Sequence, residues 1–149
     1  LIVYRKELGL MAVVYIVNIL LIGLAVVIHY EFLYRVTIVM PKLKIRHRFR
    51  IVLGVLCALT AHAAEVWIFA IAYYFMNRSE AWGELTGNFN GSLLDCVYFS
   101  FTIFTTLGFG DIVPTGDLRF LTGLESLTGL VLITWTASFL YLEMTRYWD

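Results

Sequence analysis

The chain has 149 residues, 60% of them hydrophobic and 15% charged, with 11 basic residues balancing 11 acidic ones. Soluble domains carry roughly a quarter charged residues, and a chain this short leaves much of its surface in contact with solvent. The composition therefore excludes an ordinary soluble domain and points to lipid as the solvent, while the zero net charge leaves no electrostatic footprint for nucleic acid. Cys57 and Cys96 sit in apolar runs without metal-type spacing and read as small core residues, not as a disulfide framework.

Residues 8–28 carry no charge, and Asn18 is the only strongly polar side chain among them. About 20 such residues are enough for a helix to cross the hydrocarbon core. His29, Tyr30, Glu31 and Tyr34 follow as an interfacial end, so a first transmembrane helix is expected over residues 8–34. Residues 35–50 then hold Arg35, Lys42, Lys44, Arg46, Arg48 and Arg50 without an acid. That bias makes a cytoplasmic loop, with the N-terminus outside and the C-terminus in the cytoplasm. Lys42, Lys44, Arg46, Arg48 and Arg50 are also candidates to meet anionic lipid headgroups. Pro41 interrupts any helix that continues from the first span. Together these residues make an N-terminal unit, 1–50, in front of a second unit, 51–149.

Residues 51–76 form the second span, apolar except for His62 and Glu65, which share one helical face at i and i+3. Ionisable groups inside a membrane helix are costly and find protein partners. The pair reads either as a structural lock between helices or as a proton sensor; two ligands alone make a weak metal site. A polar loop, residues 77–92, comes next. Residues 93–105 are apolar and aromatic but too short to span, which suits a re-entrant helix buried in protein. Its negative dipole end would favour a cation near the membrane centre. A third span is expected over residues 116–147, with small and hydroxylated side chains suited to close helix packing.

Between the short helix and the third span lies Thr105-Thr106-Leu107-Gly108-Phe109-Gly110-Asp111. This stretch has little to pack with its own side chains, but it can hold an extended backbone with its carbonyls turned to one side. Ion selectivity filters use that feature to replace the water shell of a cation. TTLGFGD, set between a re-entrant helix and a spanning helix and followed by Pro114, resembles the pore domain of potassium channels. The likeness is to small bacterial two-transmembrane-type potassium channels, here with an additional N-terminal helix. It runs from residue 51 to about residue 149.

The resemblance implies an all-α membrane protein: three transmembrane helices, a pore helix (93–105) and a filter (106–110), assembled as a homotetramer that conducts K+ passively. A less selective monovalent cation channel is the alternative. It places K+ against the Thr106 hydroxyl and the carbonyls of Thr106, Leu107, Gly108 and Phe109, with Gly108 and Gly110 supplying unusual backbone conformations. Thr105, Tyr98, Thr102 and Asp111 would support the filter. Some relatives have an acid at the position of Thr102, bonded to the aspartate; here either the Thr102 hydroxyl does otherwise or Tyr98 supplies the donor. No cofactor is implied beyond the permeant ion.

Glu125 either faces the cavity or points behind the filter, bonding Thr102, Thr105 or His62. Gly129 is either a hinge or a close-packing glycine. A 3.6-residue period from Ser126 places Leu130, Ile133, Ala137 and Tyr141 on the cavity face, with a gate near Ala137 to Tyr141. No span carries the repeated arginines of a voltage sensor. His29, His47 and His62 are scattered without a nucleophile beside them, so an enzyme is not expected.

Overall fold

The computed structural model describes residues 2–79 and 81–145, with the side chains of residues 2–8, 10 and 47 left aside. Among the described residues there are four α-helices and one two-stranded ribbon: α1 (Ile2–Val39), α2 (His47–Met76), β1 (Leu85–Gly87), α3 (Leu93–Phe104), β2 (Ile112–Pro114) and α4 (Leu118–Thr145). α1, α2 and α4 are long and apolar enough to cross a membrane. α3, at 12 residues, is not. The fold is that of an all-α membrane protein.

α1 runs past both ends of the span expected from sequence. Nothing in residues 29–39 breaks a helix, and the chain turns only at Pro41, inside a single 3₁₀ turn, Met40–Lys42. His29 is thus not interfacial: it lies inside the helix and is fully buried. The basic segment is also less of a loop than its charges suggest. Arg35 belongs to α1, Arg48 and Arg50 belong to α2, and residues 43–46 make the link. The Arg50 guanidinium donates to the Leu43 carbonyl at 2.8 Å and clamps that link. Lys42, Lys44, Arg46 and Arg48 are exposed. The second span therefore begins at His47, four residues earlier than residue 51.

Aromatic rings lock α3 between α2 and α4. Tyr73 of α2 meets Phe99 of α3 edge to face at 5.0 Å, and Phe69 meets Phe104 at 6.5 Å. All four rings are buried. Such pairs contribute roughly 0.5–1.5 kcal/mol each beyond area burial. The N-terminus of α3 is capped in the ordinary way. Ser92 Oγ accepts from the Asp95 amide at 3.1 Å, and the Asp95 carboxylate accepts from the Asn90 amide at 2.8 Å.

The polar loop 77–92 contains a strand that sequence did not announce. β1 pairs antiparallel with β2, Leu85 opposite Pro114 and Gly87 opposite Ile112. Leu85 and Ile112 turn into the core, while Asn77 Oδ1 accepts from the Leu85 amide at 2.6 Å. This ribbon fastens the segment after Asp111 to the end of α2. Deep in α1, Asn18 is also buried, and its amide has no hydrogen-bond partner among the described residues.

Candidate functional site

α3 ends at Phe104, and Thr105 caps it, its hydroxyl donating to the Phe101 carbonyl at 2.6 Å. The chain does not leave as a free loop. The amide of Thr106 donates to Ile103 at 2.9 Å, and that of Gly108 donates back to Thr102 at 3.0 Å. Thr106, Gly108 and Gly110 have φ of 61°, 52° and 78°, whereas Leu107 and Phe109 between them do not enter the positive region. In a strand, successive carbonyls point to opposite sides. Alternating left- and right-handed residues reverse every second peptide, which gathers N–H groups on one side and carbonyls on the other, the arrangement whose N–H face makes an anion nest.

Thr106 is the only described non-glycine residue with positive φ. For a β-branched residue that conformation costs on the order of 1–2 kcal/mol. At Gly108 and Gly110 an added Cβ would meet nothing within 4 Å, so backbone conformation, not space, requires glycine there.

Side chains brace this stretch from one flank. The Tyr98 hydroxyl donates to Asp111 Oδ2 at 2.8 Å, one of the two arrangements left open by the sequence. The Tyr98 ring stacks with Phe109 at 6.5 Å. Thr102 takes no part in that brace: its hydroxyl turns back to the Phe99 carbonyl at 2.8 Å. Residues 105–110 are all exposed in the single chain.

Glu125 of α4 is fully buried. It accepts from the Tyr73 hydroxyl at 2.6 Å and pairs with the Ser100 hydroxyl. Neither expected arrangement is met in full. The carboxyl is buried between α2, α3 and α4, but its partners are Tyr73 and Ser100, not Thr102, Thr105 or His62. Sequence reasoning missed both, because a tyrosine in α2 and a serine in α3 signal nothing until the helices are packed. The Ser100 oxygen also lies 2.9 Å from the Val66 carbonyl oxygen, so one hydroxyl touches both α2 and α4.

One turn further along α4, Gly129 is buried against the end of α3. A Cβ there would collide with the carbonyl oxygen of Phe104 and lie 3.0 Å from its Cα. Close packing is therefore reason enough for this glycine. On the adjoining face of α4, Leu130, Ile133, Ala137 and Tyr141 are exposed and Ser126 is half-buried. The period taken from Ser126 thus marks a face that the chain's own helices leave uncovered. The end of the third span expected at residues 146–147 lies outside the described residues.

His62 and Glu65 do meet, His62 Nδ1 to Glu65 Oε2 at 2.9 Å. A third member joins them from α1: His29 Nδ1 reaches Glu65 Oε1 at 2.8 Å. Thr136 of α4 closes the cluster, its Oγ 3.0 Å from His62 Nε2 and 3.4 Å from His29 Nε2.

A family model described as "Ion channel" matches residues 61–146, more than half of the chain. The chain belongs to this ion channel family. The match takes in most of α2, all of α3, TTLGFGD and α4, and it leaves out α1. Neither curated proteins nor solved structures gave a match. For an ion channel embedded by three apolar helices, the exposed backbone at 105–110 is the chemically distinctive part. Family membership also rules out a catalytic reading.

Proposed function

We propose that this ion channel is potassium-selective and conducts K+ passively through a pore made by four copies of the chain. The alternating backbone handedness over residues 106–110, inside TTLGFGD, carries the reading. K+ sheds its water against the Thr106 hydroxyl and the carbonyls of Thr106, Leu107, Gly108 and Phe109, and several adjacent sites let ions displace one another. Gly110 allows the chain to turn out toward Asp111. One chain supplies one filter strand, so a closed cyclic homotetramer is needed to surround the ion. The exposed filter residues and the uncovered face of α4 are the surfaces that such an assembly would turn to the ion path.

The basic residues Lys42, Lys44, Arg46, Arg48 and Arg50 lie on the cytoplasmic side, near anionic headgroups. That puts the N-terminus outside and the C-terminus inside. By resemblance the membrane is a bacterial plasma membrane.

The test is a flux assay on purified protein in liposomes under opposed K+ and Na+ gradients. The expected result is a membrane potential close to the K+ equilibrium value. A potential near zero, with flux of both ions, would favour the less selective cation channel. Absence of any cation flux from correctly inserted protein would overturn conduction through this filter.

A further inference from the structure

The cluster of His29, His62 and Glu65 lies outside the ion path described above, and α1, which supplies one of its members, lies outside the family match. We infer that these three side chains form a binding site for a divalent transition-metal cation of the zinc class, shared between α1 and α2 and buttressed by Thr136 of α4. One ligand atom from each of the three lies within 4.8 Å of the others. Two imidazoles and one carboxylate are a donor set that such cations take, with a fourth position left for water. The site is buried, with His29 and Glu65 at 0% exposure and the His62 side chain at 15%, so His62 marks the entry path.

Proton counting separates this cluster from an ordinary polar lock. Glu65 offers one oxygen to each Nδ1, at 2.8 and 2.9 Å. With both Nδ1 atoms donating, both Nε2 atoms are acceptors, and both face the single hydroxyl proton of Thr136. One acceptor is left unmatched unless the cluster takes up an additional proton. A cation on the Nδ1 side resolves the count. The metal takes both Nδ1 lone pairs and the carboxylate, and each imidazole proton moves to Nε2. The two Nε2–H groups then donate to the two lone pairs of the Thr136 oxygen.

Metal-bound histidines characteristically donate their second N–H to a fixed acceptor. Thr136 is placed for that role. Thr122, Thr128 and Thr134 of the same helix spend their hydroxyls on the carbonyl four residues back, at 2.7–2.8 Å, whereas the Thr136 oxygen faces the imidazoles.

The rings are 5.3 Å apart. The ligand atoms lie within 4.8 Å of one another and tetrahedral zinc–nitrogen geometry needs about 3.3 Å, so loading draws the side chains of α1 and α2 together. Through Thr136 the same movement reaches α4, one residue from Ala137 on its uncovered face.

The test uses the full chain in detergent, titrated with Co2+ as a coloured probe and with Zn2+ as competitor. The expected result is one Co2+ per chain with visible absorption of a four-coordinate site, displaced by Zn2+. His29→Ala, His62→Ala and Glu65→Gln should each abolish that absorption, and Thr136→Val should weaken binding on the order of tenfold. Trp135, whose ring lies 5.2 Å from His29, gives a reading on the unmutated ligand set. Bound Co2+ should quench its fluorescence, and Trp135→Phe should remove the quenched component. Absence of saturable binding, binding that survives loss of either histidine, or no quenching at Trp135 would overturn the site. None of these readings depends on conduction, so they stand apart from the flux assay.

Discussion

Gly129→Ala tests the joint between α4 and the end of α3. The new Cβ would stand 3.0 Å from Phe104 Cα and closer still to its carbonyl oxygen, where ordinary contacts begin near 3.4 Å. The obstacle is backbone, not the far end of a flexible side chain, and it is the last residue of the helix that delivers Thr105 and Thr106. Side chains cannot move aside, so α4 must retreat from α3 or α3 must shift. Overpacking of this kind costs roughly 1–3 kcal/mol, against about 1 kcal/mol recovered from the better helix propensity of alanine. A net loss of up to about 2 kcal/mol should lower the midpoint of heat denaturation by up to several degrees, at about 2–4 °C per kcal/mol for a chain of this size. Gly23→Ala is the control, since its Cβ would meet nothing within 4 Å. Denaturation followed by near-ultraviolet circular dichroism in detergent, together with K+ flux in liposomes, provides the measurement. If Gly129→Ala melts with the parent and conducts as well, α4 does not rest on Phe104 as described.

Glu125→Ala removes the acceptor of the buried Tyr73 hydroxyl and leaves a cavity between α3 and α4. A loss of about 1–3 kcal/mol is expected, measurable by the same melts. Ser100→Ala should cost less than Glu125→Ala, because Tyr73 keeps its partner; equal costs would refute the shared network. Tyr98→Phe deletes the bond to Asp111, worth about 0.5–1.5 kcal/mol, and should lower the K+ to Na+ permeability ratio several-fold without unfolding the protein. An unchanged ratio would mean that Tyr98 does not brace the filter. Ala137→Trp should strongly reduce single-channel conductance while leaving assembly intact; unaltered conductance would remove Ala137 from the cavity face.

Much of this channel was legible from one dimension, for reasons of solvent and length. A run of about 20 apolar residues has one stable use, and Pro41 stops a helix wherever it occurs. The role proposed for the TTLGFGD motif works through its backbone. Its requirement for glycine at 108 and 110 is local and needs no knowledge of neighbours. The Tyr98–Asp111 bond was one of two arrangements that the sequence left open.

What could not be read were partnerships across helices. The period of α4 identifies its faces but not which neighbour covers each, so Glu125 gained Tyr73 and Ser100 only once α2 and α3 were in place. β1 was hidden in a polar loop because a three-residue ribbon draws its register from Ile112–Pro114, 27 residues away. His29 read as the end of a span because its neighbours are interfacial residues. Only packing of α1 against α2 turned it inward to Glu65, joining a histidine 33 residues before His62 to the same carboxylate. The sequence by itself determined the membrane, the spans and the carbonyl-bearing motif, since these depend on composition and local backbone. Tertiary structure alone decided which buried polar groups satisfy one another, since that depends on distances between helices that no spacing along the chain encodes.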